Sequence, residues 1–355
     1  MSRSHHAGRS YLAIILSVLI VAMLATGCAR EVVKEMPVEV VVEKEADTGK
    51  LVVYSGRSES LVDNIISQFA EATGIDVEVR YANTGQLAAT LLEEGENSPA
   101  DIFFAQDPGG LGTVESQLAS LQASVLQKVP EWAQSPNGKW VGISGRARTV
   151  VYNSENLTEA DLPDDMFGFT DPEWKDRIGW APTNASFQTM VTAMRSQWGE
   201  ERTRQWLEGV QANDPRVYPK NTPQVAAAAS GEIDVGFVNH YYLFRFLAEE
   251  GEDFPARNYH PRAGGPGSIV MVSGAGILNT ADNPENAERF LQFMLSPVAQ
   301  QYFAAQTFEY PLVDGVNTQH VLVALDEIVK PDLTAGDLTD LAGTQALLQD
   351  TGVLP

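Results

Sequence analysis

The stretch Ile233-Asp234-Val235-Gly236-Phe237-Val238-Asn239-His240-Tyr241-Tyr242 runs from an apolar strand pattern into Leu243-Phe244-Arg245-Phe246-Leu247-Ala248-Glu249-Glu250, which carries helical spacing. A buried strand that feeds a helix is the unit of an α/β protein, and the carboxyl ends of such strands are where α/β proteins bind ligands. Adjacent residues of a strand point to opposite faces, so Tyr241 and Tyr242 can share one site only if the backbone turns at this junction. Two phenols there suit a hard cation such as ferric ion, because the metal displaces protons that a free phenol holds to a pKa of about 10. The alternative, that the two tyrosines cover the rim of a core, stays open on these residues alone.

The same alternation extends upstream. Leu51-Val52-Val53-Tyr54 is an apolar strand ending in Ser55-Gly56-Arg57-Ser58, and a helix follows from Glu59, with Leu61, Ile65, Ile66 and Phe69 on one face and Gly74 as its stop. Ile75, Val77 and Val79 form a second strand that ends at Tyr81-Ala82-Asn83-Thr84-Gly85. A helix is expected over 86–94, and Asp101-Ile102-Phe103-Phe104 is a third strand running into Ala105-Gln106-Asp107. These three strand ends lie along one edge of a parallel α/β arrangement.

Beyond Trp140-Val141-Gly142-Ile143 and Ala147-Arg148-Thr149-Val150-Val151-Tyr152-Asn153 a second α/β unit begins. It has a strand at Ile178-Gly179-Trp180-Ala181, helices over 186–198 and 200–211, and a helix over 223–230 before the tyrosine strand. Strands over 267–272 and 274–278 and helices over 284–295 and 297–306 follow. The chain thus reads as two lobes around a cleft, crossing near Tyr152 and again near Met271. Residues 51–148 with 272–320 form one lobe, and 149–271 with 321–355 the other.

The first 27 residues carry Arg3, His5, His6 and Arg9, then the apolar run from Tyr11 to Ala25, in the layout of an export signal too short for a comfortable membrane span. Cys28, the one cysteine in the chain, stands at the cleavage position, so this segment resembles a bacterial lipoprotein signal. That resemblance implies lipidation at Cys28 and an extracytoplasmic, membrane-anchored protein, in a periplasm or on an outer surface. A lone cysteine also excludes an internal disulfide. Residues 28–50, rich in Val, Glu and Lys, read as a tether. Lys plus Arg total 24 against 47 Asp plus Glu, a formal charge of −23, which argues against a nucleic-acid partner.

Val53-Tyr54-Ser55-Gly56-Arg57, Ser98-Pro99-Ala100-Asp101-Ile102-Phe103-Phe104, Arg148-Thr149-Val150-Val151-Tyr152-Asn153 and Ile178-Gly179-Trp180-Ala181-Pro182-Thr183-Asn184 recur in a known order. With them come Gly231-Glu232-Ile233-Asp234-Val235-Gly236, Asn239-His240-Tyr241-Tyr242, Gly265-Pro266-Gly267-Ser268, Gly274-Ala275-Gly276-Ile277 and Glu309-Tyr310-Pro311-Leu312. Together they resemble the ferric-iron-binding proteins of bacterial ABC importers, within the type II periplasmic binding-protein fold. The resemblance implies Fe(III) as cargo, Tyr241 and Tyr242 as ligands, Tyr152 as a third ligand, and delivery by a monomer to the importer's permease subunits. Ser58 and Gln106 stand where part of the family has His and Glu, so the chain resembles the tyrosine-ligated members, in which a synergistic anion such as carbonate completes the shell. Arg57 would hold that anion, with Thr84 as a further contact. Asn184, Asn221 and Asn239 are expected to support the phenolates, Arg146 and Arg148 to support the cleft electrostatically, and His240 to lie beside the metal without binding it.

The chain has no Gly-x-Ser-x-Gly elbow, phosphate loop, His-Glu-x-x-His or Cys/His spacing, so no catalysis is expected. The competing ligand is an organic or phosphorylated solute of the polyamine, thiamine or phosphonate type, held by the same tyrosines and Arg57.

Overall fold

Alternating strands and helices build the first half of the sheet in a computed structural model that describes residues 49–355. The export signal, Cys28 and all of the tether but Gly49 and Lys50 lie outside the described residues. β1 (Lys50–Ser55) pairs in parallel with β2 (Asp76–Tyr81) on one side and β3 (Ile102–Ala105) on the other. α1 (Glu59–Thr73) connects the first two and ends on Gly74, whose φ of 74° is the left-handed conformation glycine adopts without strain. α2 (Thr84–Glu94) begins earlier than the spacing predicts, because Asn83 and Gln86 close a capping box around its first turn. α3 (Pro108–Thr113) and α4 (Ala123–Leu126) then lead to β4.

β4 (Val141–Asn153) is buried along its whole length and belongs to both halves of the sheet. From Val141 to Ala147 it pairs antiparallel with β9 (Val270–Ile277), which is itself antiparallel to β3. From Arg148 to Tyr152 it pairs with β7 (Val235–Asn239), and from Val150 to Asn153 with β8 (Ala256–Tyr259) on its other edge. β5 (Ile178–Trp180) lies parallel to β7, and β6 (Arg216–Val217) to β5. The order is therefore β2-β1-β3-β9-β4-β7-β5-β6, with β8 off the path against β4. The stretches 140–143 and 147–153, quoted apart in the sequence, belong to one strand with a register shift between Gly142 and Ser144. The change of partners comes at Ala147–Arg148, upstream of the crossing expected near Tyr152.

Helices cover both halves and divide them into two lobes. α5 (Ala185–Trp198), α6 (Glu200–Ala212), α7 (Asn221–Ala229) and α8 (Tyr241–Glu250) surround the second half, where Phe169, Trp174, Trp206 and Phe237 pack edge to face or tilted at 5.0–5.7 Å. α9 (Pro284–Met294) and α10 (Pro297–Gln306) return to the first, and Phe69 of α1 meets Phe290 of α9 at 5.2 Å. α11 (Leu341–Asp350) buries Leu347 and Leu348 in the core of the second half. Each fully buried aromatic or leucine contributes about 1.5–3 kcal/mol; one core runs from the first half through Val151, Val238 and Tyr241, and a second lies within the second half. Among the described residues no helix is long and apolar enough to cross a membrane.

Candidate metal centre

The helix that follows β7 begins at Tyr241 itself, so the two tyrosines occupy its first two positions. This is the turn their sharing of a site requires. Helical rotation replaces strand alternation, and the two rings stack with centroids 4.3 Å apart and planes at 30°. Tyr241 is wholly buried, yet its hydroxyl has no hydrogen-bond partner. A buried hydroxyl without a partner costs about 1–3 kcal/mol, and the site tolerates it. Burial first, then the neighbouring Tyr241 oxygen, pushes the Tyr242 phenol far above its ordinary value, while Arg57 and Arg146 pull it back. With no cation bound, Tyr242 is held as a phenol.

Three arginines, all but fully buried, face the pair: Arg57, Arg146 and Arg148. Arg57 reaches in from the loop after β1, where Gly56 passes so close to α2 that a Cβ there would lie 2.1 Å from Thr84 Oγ1. Its Nη2 pairs with Glu309, whose other oxygen accepts from the Ser144 hydroxyl. Burial lowers the Arg57 pKa, but Glu309 and then the two tyrosines outweigh it and raise the value above its ordinary level. Glu309 follows Phe308, whose φ of 56° is left-handed for a residue with a side chain. His240 donates from Nε2 to the Phe308 carbonyl at 2.8 Å, which helps hold that turn.

Arg148 has no carboxylate partner among the described residues. Its Nη1 donates to Asn239 Oδ1 at 3.0 Å and Asn221 Oδ1 at 3.4 Å, while Nε and Nη2 have no partner. Burial, then repulsion by Arg146, brings its pKa down to about 9. Arg146 donates to Ser186 Oγ at 3.3 Å and the Val272 carbonyl at 3.2 Å, leaving Nε unpartnered. Four guanidinium nitrogens, Arg57 Nε, Arg146 Nε and Arg148 Nε and Nη2, are thus left without acceptors around the tyrosines. Buried guanidinium charge in this number calls for anionic oxygen.

Ser186, in the first turn of α5, joins the lobes. Its hydroxyl oxygen lies within hydrogen-bond distance of Gln106 Nε2 at 2.9 Å, Asn239 Nδ2 at 3.1 Å and Arg146 Nη1. Gln106 comes from the loop after β3, so this contact spans the cleft. A basin of about 480 Å3, lined by Arg57, Ser58, Tyr81, Asn83, Gln86 and Gln106 among others, opens along the same strand ends.

The structure brings Tyr241, Tyr242, Arg57 and Asn239 together and leaves Tyr152 out. Tyr152 pairs with Val235 and Arg257, about 13 Å along the strand from Arg148, and packs in the core of the second half. Its phenol answers to burial, Glu159 and Arg257, and not to the tyrosine pair. The expectation that Tyr152 adds a third donor therefore does not fit this geometry. Thr84 lies beside Arg57's loop, but its hydroxyl accepts from the Gln106 main chain at 3.0 Å. Asn184 caps α5, accepting from Ser186 N at 3.1 Å and from Asn221 at 3.4 Å. The asparagines brace Arg148, Ser186 and α5, with no hydrogen bond to a phenol. Both ring nitrogens of His240 are engaged, Nδ1 accepting from Ala147 N at 3.1 Å, which leaves none for a metal. Glu309, though it heads one of the matching stretches, and Ser186 were given no role from the sequence, since their partners Arg57, Ser144, Gln106 and Asn239 meet them only once the chain is folded. No cluster of three His, Cys, Asp or Glu side chains that could hold a metal exists among the described residues.

The sequence model of bacterial extracellular solute-binding proteins matches residues 97–327. The major ferric iron-binding protein of Neisseria meningitidis is 32% identical over 315 residues, covering 85% of this chain and 93% of that one. Iron-bound HitA from Pseudomonas aeruginosa superposes with a TM-score of 0.82 at 33% identity, over 85% of this chain and 99% of that one. A Trichodesmium protein in complex with iron and citrate gives a TM-score of 0.74 at 27% identity, over 86% and 99%. The chain belongs to the family of bacterial extracellular solute-binding proteins.

Proposed function

We propose that this protein captures ferric ion outside the cytoplasm, with an anion beside it, and hands it to the permease subunits of an ABC importer. The observation that carries this reading is the stacked, buried Tyr241–Tyr242 pair with an unpartnered hydroxyl amid unpartnered guanidinium donors. Fe(III) is hard and prefers anionic oxygen, and a trivalent cation can ionise a phenol by displacing its proton. The similarity to ferric-binding relatives supports the same cargo.

Tyr241 and Tyr242 supply two phenolates. The anion sits against the free guanidinium edges of Arg57, Arg146 and Arg148, and carbonate or a carboxylate such as citrate suits their planar donors. Arg57, already paired with Glu309, shares this work with Arg148 and does not hold the anion alone. Gln106 on Ser186 closes the lobes around the cargo, and the closed form is what a permease would recognise. The lobes are 51–148 with 272–320 and 149–271 with 321–355. The protein binds and carries its solute without transforming it, as a monomer lipid-anchored through Cys28.

Purified protein given ferric iron and bicarbonate tests this. One iron per chain and a visible phenolate-to-iron charge-transfer band are expected. Tyr241→Phe should lose the band, and Tyr152→Phe should keep both band and stoichiometry. A colourless protein that instead retains an organic solute would overturn the reading in favour of an organic ligand.

A further inference from the structure

Residues 334–345 run between the two lobes and touch both. On one side lies α5 of the second lobe, on the other α3 of the first. These helices begin at the two ends of the Gln106–Ser186 bond, α3 at Pro108 just after Gln106 and α5 at Ala185 just before Ser186.

Toward α5 the segment is tied by hydrogen bonds. Ser196 Oγ donates to the Asp337 carbonyl at 3.0 Å, Arg195 Nη1 to the Asp340 carbonyl at 3.2 Å and to Thr344 Oγ1 at 3.0 Å, and Gln345 Nε2 to Gln188 Oε1 at 3.3 Å. Thr192 and Thr344, both buried, share a hydroxyl bond of 2.7 Å, and Arg195 Nη2 pairs with Asp340 at 2.9 Å. Gln188, Thr192 and Arg195 fall on one face of α5 by their spacing, so the ties follow that helix for about two turns.

Toward α3 the segment has packing and, among the described residues, no hydrogen bond. α3 reads Pro108-Gly109-Gly110-Leu111-Gly112-Thr113, and Leu111 fixes it to the first lobe by burial against Gly274 of β9. Gly109 and Gly112 turn one side of α3 to the segment. A Cβ on Gly109 would lie 3.3 Å from Leu341 Cβ, and one on Gly112 would lie 2.5 Å from Thr339 Cβ and 2.8 Å from the Thr339 carbonyl oxygen. Only a face without side chains lets the segment come this close, and Leu338 and Leu341 are buried there.

Parting the lobes separates α3 from α5, and the segment cannot follow both. Hydrogen-bonded to one and only packed against the other, it stays with α5 and leaves α3, which returns apolar surface to water. We propose that residues 334–345 are a closure strap that travels with the second lobe and holds the cleft shut by resting on the glycine face of α3. The strap acts together with the Gln106–Ser186 bond and lies outside the metal centre; its effect on iron rests on the cargo proposed above.

Small-angle scattering of the purified, metal-free protein reads the strap without any cargo. Gly112→Ala drives a methyl group into Thr339, while alanine favours a helix over glycine, so this variant wedges the strap off α3 without weakening α3 itself. Its radius of gyration should exceed that of the wild type. The pair Gly109→Cys with Leu341→Cys has Cβ positions close to disulfide range and, once oxidised, locks the strap onto α3. That variant should be no larger than the wild type. Loaded with ferric iron and bicarbonate, Gly112→Ala should keep the charge-transfer band and release iron to a chelator about tenfold faster, as overpacking of the closed form predicts. A wedge variant with the wild type's radius and release rate, or an oxidised pair as expanded as the wedge variant, overturns the strap. A wild type that takes up no iron overturns the proposed cargo and leaves the scattering result to decide the strap.

Discussion

His240 and Glu309 show how much of the centre rests on residues that touch no cargo. Burial pushes His240 down to about 3 and His260 to about 4, from an ordinary 6.5. Because these folded-state values lie below those of the unfolded chain, the unfolded chain binds more protons between them. Stability is then full above about pH 6.5 and falls as pH drops toward 3–4. Asp107, raised by burial, works in the opposite sense, so the histidine contribution is best isolated by substitution. The urea midpoint should fall between about pH 7.5 and 5 in the wild type and fall less in His240→Asn, whereas an identical drop would contradict the assignment. Glu309 is the counter-charge of Arg57, and both are almost completely buried. Removing one partner of such a pair costs about 3–5 kcal/mol, so Glu309→Gln should lose that much in urea unfolding. A loss below about 1 kcal/mol would mean that Arg57 has another counter-ion.

At the scale of elements, the strand-to-helix junctions did most to reveal the molecule. β1, β3 and β7 were legible because apolar runs stop at polar loops, and α1 because its buried face recurs at helical spacing and Gly74 ends it. The strand-to-helix junction at the tyrosine pair was legible, and α8 starting at Tyr241 supplies the turn that a shared site demands. β6 and β8 were missed, since two and four residues carry too little periodicity to separate strand from loop. β9 was read as two pieces because Ser273 interrupts its apolar run, and Ser144 stands between the two apolar stretches of β4. Those serines are buried where the strands cross, Oγ to Oγ at 2.6 Å, and Ser144 also meets Glu309, a partnership only the folded sheet creates. Tyr152 misled for a related reason. Its place in a matching motif suggested a ligand, but the register of β4 carries it past the centre into the second core.

For the whole molecule, the contact between Gln106 and Ser186 is the side-chain bond that would link closure to the proposed cargo. Gln106 comes from the sheet half of β1–β3 and Ser186 from the half of β5 and β7, so the bond exists only with the cleft shut. A hydrogen bond of about 1 kcal/mol corresponds to about a fivefold change in rate, so Gln106→Ala should release iron to a chelator about fivefold faster. Small-angle scattering should show the variant more open without iron than the wild type, and unchanged release with unchanged scattering would remove Gln106 from the closure step.

Crystals grown with ferric iron and bicarbonate, with anomalous differences measured at the iron edge, locate the cargo directly. One peak is predicted between the hydroxyl oxygens of Tyr241 and Tyr242, with anion density against the free edges of Arg57 and Arg148. A peak away from that pair, or tyrosine rings turned from the cleft with iron bound elsewhere, would contradict the assignment of the metal centre.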